Sequence, residues 1–361
     1  MKMRKIVAAA LVAAISALGT MGPGAVSADS ERTITVMTQN LYQGTELEHV
    51  VAAKTQQQLL LGVATDYGNV IATNFPERAA AMANEIARDQ PTLIGLQEVA
   101  LWRTQLPFNP TALPTTVSYD FLQILRDALA ARGLQYTVAN ARDNFDVSAP
   151  GLFSFGVMGV RLTEMSAILV KSNAHGAAVL LSNPQSGAFQ NVSVLQTFTG
   201  PVRLGAGWLA VDVKQRGKTF RFISTHLDGF NVAIAGQQAD ELIHAAIAPT
   251  HLPVVLVGDF NSQPTDPAPA KFTALGFSDA WQTTSAAEAG LTCCQVPPDS
   301  IVNPVSRLSQ RVDYVFSRGL SATDTHLVGD TPSSRTPAGL WPSDHAGVVA
   351  TLESGESHED N

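Results

Sequence analysis

Residues 253–262 read PVVLVGDFNS, an apolar run that ends in polar side chains. The segment 253–258 carries no charged or hydrogen-bonding side chain, and such short runs are typical of strands buried on both faces of a sheet. Asp259 and Asn261 follow, and residues two positions apart point to the same side of an extended segment. Both residue types are common in turns. The buried strand before them nevertheless favours a function in which one activates water and the other holds a phosphate oxygen.

Strand-like and helix-like segments alternate along the rest of the chain. Hydrophobic patterning predicts strands at 33–40, 92–99, 135–141, 166–171, 207–214, 218–225, 253–258, 311–317 and 346–352, and helices at 76–90, 121–132 and 232–248. Two segments rich in Pro or in Gly and Phe, 103–116 and 143–160, are predicted to be loops that shape a substrate site. Packing of the apolar residues of 143–160 on the domain's own core is an equal alternative. Strands mixed with helices from end to end predict one α/β or α+β domain.

The N-terminus has the pattern of a secretory signal. Lys2, Arg4 and Lys5 precede an apolar, Ala-rich run, and small residues stand just before position 29. The run is shorter than the roughly 20 residues that cross a bilayer, which argues against a membrane anchor. We therefore expect a signal peptide at 1–28, a single domain at 29–352 and a disordered acidic tail at 353–361. The expected product is a secreted monomer without a transmembrane segment.

The charge of the chain argues against avid binding of polyanions. The sequence has 23 Lys and Arg residues against 31 Asp and Glu. Removal of the three signal cations leaves 20 against 31, a net charge near −11. No cluster of Lys and Arg is present, whereas proteins that hold nucleic acid non-specifically carry a basic stripe. A nuclease that turns over weakly bound substrate is still compatible with this charge.

The two cysteines, Cys293 and Cys294, are neighbours. Export would permit a disulfide, but adjacent cysteines enclose no loop for a cross-link to stabilise. A vicinal disulfide, free thiols and an intermolecular bond are all left open by the sequence. The spacing matches no zinc motif.

Further polar residues stand at the ends of predicted strands, where ligands commonly bind a sheet. They are Asn40, Glu98, His226, Asp344 and His345, with Asp313 inside the strand 311–317. Taken singly, most are explained as turn, strand-end or structural residues. Glu98 is costly at the tip of an apolar strand unless it is paired or metal-bound. Mg²⁺ typically takes one or two protein carboxylates, which makes Glu98 a candidate ligand.

Asp313 and His345 are predicted to form a pair. A charge inside an apolar strand needs a partner, and His345 is the clearest candidate. An Asp that accepts from one imidazole nitrogen leaves the other nitrogen free as a base. His226 can protonate a leaving oxygen or donate to phosphate near neutral pH.

Six short motifs, in order, bring these residues together. They are TQNL at 38–41, LQEV at 96–99, STHL at 224–227, GDFN at 258–261, RVDY at 311–314 and SDH at 343–345. The set resembles the motifs of the endonuclease/exonuclease/phosphatase superfamily, which includes DNase I, exonuclease III-type repair endonucleases, neutral sphingomyelinases and inositol polyphosphate 5-phosphatases. The resemblance spans 33–352. It implies an α/β (α+β) fold, a four-layer sandwich of two packed, mostly antiparallel or mixed sheets flanked by helices.

The resemblance also implies a metal site. Glu98 would bind a catalytic Mg²⁺ (or Mn²⁺), and Asn40 and Asp344 would support that site. One departure is visible at 164–167, where EMSA lacks the Arg often found before that strand in secreted relatives. We therefore expect a substrate contact to differ here.

Catalytic roles follow from the same resemblance. Asp259 would position or deprotonate the attacking water, while Asn261 and His226 would hold the phosphoryl oxygens. His345, oriented by Asp313, would act as a base or stabilise charge on the phosphate. The choice of base between Asp259 and His345 is left open.

The expected function is metal-dependent hydrolysis of a phosphodiester outside the cell, with a nucleic acid or a phospholipid head group as substrate. The apolar segment 152–160 favours an amphipathic substrate, and the missing basic clusters disfavour nucleic acid. A phosphomonoesterase usually needs several Lys and Arg around its phosphates, which makes that alternative weaker. An exported binding protein of the same fold is the alternative from another class.

Overall fold

The computed structural model describes residues 33–174, 177–295 and 300–354. The expected signal peptide lies outside these residues, as does the expected tail apart from its first two positions. The strands are β1 Thr33–Asn40, β2 Leu93–Gln105, β3 Thr116–Asp120, β4 Tyr136–Phe153, β5 Gly156–Lys171, β6 Asn173–Ala174, β7 Ala177–Ala178, β8 Leu180–Ala188, β9 Val194–Thr197, β10 Gly200–Arg203, β11 Gly207–Gln215, β12 Lys218–His226, β13 Val254–Asp259, β14 Ser278–Asp279, β15 Asp313–Arg318, β16 Leu320–Val328 and β17 Gly347–Ser354. The helices are α1 Glu48–Ala52, α2 Gln56–Ala72, α3 Phe75–Asp89, α4 Phe121–Ala130, α5 Val232–Leu242, α6 Pro267–Ala274 and α7 Ala280–Thr284.

Two large mixed sheets form the centre of the fold. The first has the order β16-β17-β1-β2-β5-β4, with β3 paired to β2. The second has the order β14-β15-β13-β12-β11-β8. Each sheet contains one parallel pair among its described strands, β1 with β2 and β12 with β13, and its other pairs are antiparallel. Helical crossovers connect the parallel strands, as that geometry requires.

Apolar side chains fill three layers. Between the sheets, Val36 and Leu93 of the first pack with Phe222 and Val255 of the second. The outer face of the first sheet is covered by α2, α3 and α4, and the outer face of the second by α5 and α6. The fold class predicted from the sequence, two packed mixed sheets flanked by helices, is confirmed.

The helix predicted to begin at Pro76 is present as α3. Pro76 lies in its first turn, where the missing N–H costs nothing. Its apolar face is fully buried and consists of Ala79, Met82, Ala83 and Ile86. The helix predicted at 232–248 is also present, as α5 followed by a π-helical turn at Ile243–Ile247.

The prediction of a loop at 143–160 is wrong. These residues belong to a long hairpin of β4 and β5, whose turn lies between Phe153 and Gly156. Two β-bulges, at 138–140 and 143–145, shift the alternation of β4 and hide the strand pattern. Met158 packs on the core, whereas Phe155 is exposed, so the alternative of core packing is correct for only part of the segment.

Two smaller differences concern segment ends. The predicted loop 103–116 begins later, because β2 continues to Gln105. The last strand continues past the expected domain end to Ser354, and Glu353 pairs with Thr33. Among the described residues, no helix combines the length and apolarity needed to cross a bilayer.

Candidate active site

The parallel strands of the two sheets end at a common edge, and the predicted residues lie there. Asn40 ends β1, His226 ends β12 and Asp259 ends β13. Glu98 lies on β2 at a bulge with φ 51°, a backbone region that non-glycine residues seldom adopt. Such strain is typical of functional sites, and here it places the Glu98 carboxylate beside Asn40.

The carboxylate of Asp259 is the centre of the cluster and is almost completely buried. Its Oδ1 accepts from the backbone N–H of Asn261 at 2.8 Å. Its Oδ2 accepts from Asn40 Nδ2 at 3.1 Å. The Nε2 atoms of His226 and His345 lie 3.7 Å and 3.8 Å from the same oxygen. Two imidazoles from separate segments therefore face one carboxylate across a small gap.

His345 and Asp313 form the predicted pair. His345 Nδ1 lies 2.8 Å from Asp313 Oδ2, and both side chains are buried. Burial by itself lowers the pKa of His345, but the charges of Asp313, Asp259 and neighbouring Asp344 raise it well above its usual value. Burial raises the pKa of Asp313 to about 6, against the opposing effect of His345. The pair leaves Nε2 of His345 directed at Asp259.

His226 has a partner that the sequence did not reveal. Glu164 of β5 lies with Oε1 3.9 Å from His226 Nδ1 and is buried. Burial lowers the pKa of His226, but Glu164 and Asp259 outweigh it and raise this pKa to about 9. Burial also raises the pKa of Glu164. Each imidazole of the site therefore has a buried carboxylate behind it.

Glu164 occupies the segment where the sequence predicted a departure. Its neighbour Arg142 donates from Nη1 to Asn144 Oδ1 at 2.6 Å, and Asn144 Nδ2 donates to Ser166 Oγ at 2.9 Å. Burial lowers the pKa of Arg142, and the charge of Glu164 partly offsets this effect. An arginine is therefore present near Glu164, but it lies on the neighbouring strand β4 and not at 164–167, where the sequence analysis looked for it.

Asn40 connects the two acidic parts of the site. Its Nδ2 donates to Glu98 Oε1 at 3.0 Å as well as to Asp259. Its Oδ1 accepts from the backbone N–H of Tyr42 at 2.9 Å. The amide oxygen is thus engaged within the chain, and Asn40 orients Glu98 and Asp259 with its nitrogen. This contact favours a supporting role over direct ligation.

The acidic side of the site fits a hard divalent cation. Burial raises the pKa of Asp344 to about 6, and the charge of Glu98 adds to the rise. Carboxylates crowded in this way repel each other unless a cation lies among them. Carboxylate oxygens are the ligands that Mg²⁺ and Ca²⁺ prefer, so Glu98 and Asp344 are residues that could hold a cation here.

A second donor group lies on the histidine side. Ligand atoms of Asp259, Asp313 and His345 are within 4.8 Å of one another. Asp313 Oδ1 accepts no hydrogen bond from the part of the chain that the structure describes. The described site could therefore hold a cation on either side of Asn40.

Asn261 and Asp228 shape the rim. Asn261 Nδ2 donates to the Leu227 carbonyl at 2.9 Å, which holds its side chain beside the end of β12. Asp228, left unassigned from the sequence, accepts from the backbone N–H groups of Ser193 and Phe230 at 2.8 and 2.9 Å. Its carboxylate oxygens accept hydrogen bonds from these backbone groups, so Asp228 has a structural role.

The structure joins the two cysteines as a vicinal disulfide, one of the alternatives left by the sequence. Cys294 Sγ lies 3.9 Å from His345 Nε2. The disulfide is therefore part of the wall of the site, a position that nothing in the sequence spacing indicated.

Solved structures with the same fold have little sequence in common with this chain. An endonuclease/exonuclease/phosphatase family protein from Bacteroides thetaiotaomicron is 17% identical, with a TM-score of 0.56, and the match covers 90% of this chain and 98% of that one. A humanized D. rerio TDP2 is 14% identical with a TM-score of 0.54, covering 89% and 99%. A mannosyl-6-phosphatase from Bacteroides thetaiotaomicron VPI-5482 is 17% identical with a TM-score of 0.53, covering 88% and 99%. At these identities the likeness shows the fold alone.

The sequence comparison identifies the family. No curated protein sequence matched this chain. The sequence model of the endonuclease/exonuclease/phosphatase family, whose members are hydrolases acting on phosphate esters, matches residues 37–345, most of the 361 residues. The resemblance carried by the six motifs is confirmed, and the chain belongs to the endonuclease/exonuclease/phosphatase family.

Proposed function

We propose that this protein is a divalent-metal-dependent phosphodiesterase that cleaves its substrate by in-line attack of water. The observation that carries the proposal is the convergence on Asp259. Asn40 and the two imidazoles of His226 and His345 come from both sheets and approach one carboxylate oxygen within 3.1 to 3.8 Å. A purely structural carboxylate would not need two histidines, each held by a further buried acid.

The side chains divide the chemistry between them. Asp259 lies where it can position a water and accept its proton, because its Oδ2 faces the space between the two imidazoles. His226 and His345, with their raised pKa values, present N–H donors to the phosphoryl oxygens. Such preorganised donors stabilise the charge that develops in the transition state. His226 can also give a proton to the leaving oxygen.

Glu98 and Asp344 would hold the metal. A cation bound there would stabilise negative charge on the reacting phosphate as a Lewis acid. Asn40 fixes the Glu98 carboxylate through Nδ2, and the backbone N–H of Gln43 donates to the other Glu98 oxygen at 2.8 Å. Mg²⁺ or Mn²⁺ suits the oxygen ligands.

The rim supports a diester over a small monoester. Phe230, four residues after His226, is 65% exposed. The preceding residue, Gly229, lies beside the Asn261 side chain, since a Cβ added there would be 3.1 Å from Asn261 Oδ1. An exposed aromatic ring beside a phosphate site can contact the base or the acyl part of a larger substrate. A monoester such as a sugar phosphate has no comparable group to place on Phe230. Export of the mature chain, proposed from residues 1–28, would put this activity outside the cell.

The experiment is a substrate panel on the purified mature protein. It comprises plasmid DNA, RNA, sphingomyelin, phosphatidylcholine, inositol phosphates, and p-nitrophenyl and bis-p-nitrophenyl phosphate, each with EDTA, Mg²⁺ or Mn²⁺. We expect hydrolysis of at least one diester that EDTA abolishes and Mg²⁺ or Mn²⁺ restores. His345→Ala, assayed in parallel, should reduce kcat by at least about 10²-fold.

Three outcomes would contradict the proposal. Full activity in EDTA would show that the reaction needs no metal. A His345→Ala variant as active as the unaltered protein would indicate a contaminant or another site. Hydrolysis of monoesters alone would replace the diesterase with a phosphomonoesterase. Sequencing the N-terminus of protein recovered from culture medium tests the proposed export, which predicts a mature chain that begins near position 29.

A further inference from the structure

The vicinal disulfide contacts the nitrogen of His345 that faces the reaction space. Asp313 holds Nδ1 at 2.8 Å, so Nε2 is the nitrogen directed at Cys294 Sγ, 3.9 Å away. Cys293 is 3% exposed and Cys294 is half-buried. The proposed hydrolysis uses neither sulfur atom, so their position beside this imidazole calls for a separate explanation.

Backbone hydrogen bonds fix the cysteine segment independently of the disulfide. Cys293 N–H donates to the Gln310 carbonyl at 2.9 Å, and Gln310 N–H donates back at 2.7 Å. On the other side, Gln295 N–H donates to the Asp344 carbonyl at 3.0 Å, and Ala346 N–H donates to the Thr292 carbonyl at 2.8 Å. These bonds tie the segment to the residues before β15 and β17. Cleavage of the sulfur–sulfur bond would therefore leave both sulfurs next to His345.

We infer that reduction of this disulfide creates a binding site for a soft divalent cation such as Zn²⁺, formed by Cys293 Sγ, Cys294 Sγ and His345 Nε2. A dithiol reductant supplies two electrons and two protons. The bond between Cys293 and Cys294 breaks, two thiols form, and the reductant leaves as its own disulfide. Both thiols release their protons to water when the cation binds.

The geometry and the chemistry of the three donors suit zinc. Their ligand atoms already lie within 4.8 Å of one another. Zinc–sulfur bonds of about 2.3 Å and zinc–nitrogen bonds of about 2.0 Å in a tetrahedral site require donor atoms just under 4 Å apart. Asp259 Oδ2, 3.8 Å from His345 Nε2, or a water can complete the coordination. Thiolates select zinc over magnesium, so this site and the Glu98 side take different metals.

Occupation of this site would withdraw His345 from catalysis. An imidazole nitrogen bound to zinc can neither accept a proton nor donate to a phosphate. The oxidised protein is therefore expected to be the active form, and the reduced, zinc-loaded protein the inhibited one. This consequence rests on the proposed function, whereas the metal site itself does not.

Cobalt absorption tests the site without any assay of activity. Co²⁺ bound by thiolates gives an intense charge-transfer band in the near ultraviolet, which Co²⁺ bound by carboxylates lacks. The full mature chain, oxidised or reduced by a dithiol and then freed of reductant under nitrogen, is titrated with Co²⁺. We expect one equivalent to give the band in the reduced protein alone, and Zn²⁺ to displace it.

Variants assign the band to its ligands. Cys293→Ser combined with Cys294→Ser should show no band under reduction, and Cys294→Ala alone should weaken both the band and the affinity. His345→Ala should keep two thiolates but lose affinity for Co²⁺. Circular dichroism confirms that each variant is folded. A band in the oxidised protein, a band in the double variant, or none in the reduced protein would overturn the site.

Inhibition is measured with excess Mg²⁺ and one equivalent of Zn²⁺. The reduced protein should lose at least about 10²-fold in kcat, the usual cost of losing one donor to the charged oxygens, and the oxidised protein and the double serine variant should lose none. Zinc binding without loss of activity would overturn the inhibitory role. If no form hydrolyses any substrate, the proposed function fails, and the cobalt spectrum still decides whether the site exists.

Discussion

The single residue whose role is most sharply defined is Asp313. Its carboxylate holds His345 Nδ1 at 2.8 Å inside the second sheet, where burial raises its own pKa to about 6. Asparagine has nearly the same shape but cannot stabilise a protonated imidazole. We expect Asp313→Asn to lower kcat by about 10² to 10⁴-fold, as in other sites where an acid orients a catalytic histidine.

The measurement is steady-state kinetics, with thermal unfolding of the same variant as control. The unfolding midpoint should change little, because Asn removes a buried negative charge that lies near Asp259. Unaltered kcat in a folded Asp313→Asn protein would show that His345 does not depend on this contact.

Arg78 is a second residue with an effect beyond its own position. It is fully buried, and Nη1 donates to the carbonyls of Leu41 and Pro342 at 2.7 and 2.9 Å. These carbonyls lie next to the segments that carry Asn40 and Asp344. Arg78 therefore holds the two halves of the proposed metal site together, through the backbone.

We expect Arg78→Lys to weaken Mg²⁺ binding and to lower the free energy of unfolding by about 1 to 3 kcal/mol. Arg78 donates to four carbonyls, those of Thr73, Leu41, Tyr42 and Pro342, and the compact lysine ammonium cannot satisfy all of them. Calorimetric titration with Mg²⁺ measures the first effect and urea unfolding the second. Arg88→Lys is the matched control, since Arg88 is on the same helix with a side chain 63% exposed. A loss of stability without any change in Mg²⁺ affinity would contradict the positioning role.

The site residues were recognised in the sequence through the order of the six motifs, not one residue at a time, and the pair of Asp313 with His345 was the one pairing predicted. The motif residues were visible because each follows or interrupts an apolar strand. Glu164 carries the same signal, an acid within the apolar run of β5, and the argument used for Asp313 could have found it. Its partner His226 lies on the other sheet, and no local pattern specifies which strands of two sheets face each other. The contact of Cys294 with His345 was hidden for the same reason.

At the scale of elements, predictions held where one pattern persisted over a whole segment. The regular apolar spacing of α3 and the continuous apolar run of β13 were both predicted correctly. The first part of β4 was predicted as the strand at 135–141, but its continuation to Phe153 was missed because bulges break the alternation on which a strand prediction depends. Pairing with β5 over the full length of β4 stabilises a segment whose own pattern is irregular.

One contact between elements responds to pH. His326 on β16 lies with Nε2 3.2 Å from Asp89, the last residue of α3, and Nδ1 3.1 Å from Asp324. The hydrogen bond with Asp89 raises the pKa of His326 from 6.5 to about 9. Partial burial opposes this rise, and Asp324 adds to it. A raised pKa means that the protonated imidazole stabilises the fold. This stabilisation is complete below pH 6.5 and is lost as the pH rises through about 9.

His326→Gln should therefore be less stable than the unaltered protein at pH 6 and equally stable at pH 10. The side chain is 42% exposed, so solvent screening keeps the difference below about 1 kcal/mol. Thermal unfolding midpoints at both pH values measure it. His251→Gln, at an exposed position with no carboxylate contact among the described residues, should show no such pH-dependent difference. A difference for His326→Gln that persists at pH 10 would mean that packing, not charge, is lost.

At the scale of the whole molecule, the site exists because two sheets pack closely enough for their strand ends to meet. The family resemblance implied this layering, whereas periodicity alone gave only a mixture of strands and helices. The two sheets approach each other closely at Gly95 of β2 in the first sheet. A Cβ at Gly95 would lie 2.6 Å from both Ser224 Oγ of β12 and Val257 Cγ2 of β13 in the second sheet. A single methyl group here requires the Ser224 and Val257 side chains, or the strands that carry them, to shift.

Gly95→Ala should therefore lower the free energy of unfolding by about 1 to 3 kcal/mol, the usual cost of overpacking a core. It should also reduce activity, because Gly95 is three residues from Glu98 and Ser224 is two residues from His226. Gly68→Ala is the control: Gly68 lies on α2 with no atom within 4 Å of the added Cβ, and alanine there should stabilise the helix by up to about 1 kcal/mol. Urea unfolding and kinetics of both variants test the argument. If Gly95→Ala were as stable and active as Gly68→Ala, close packing of the two sheets could not be what aligns the halves of the site.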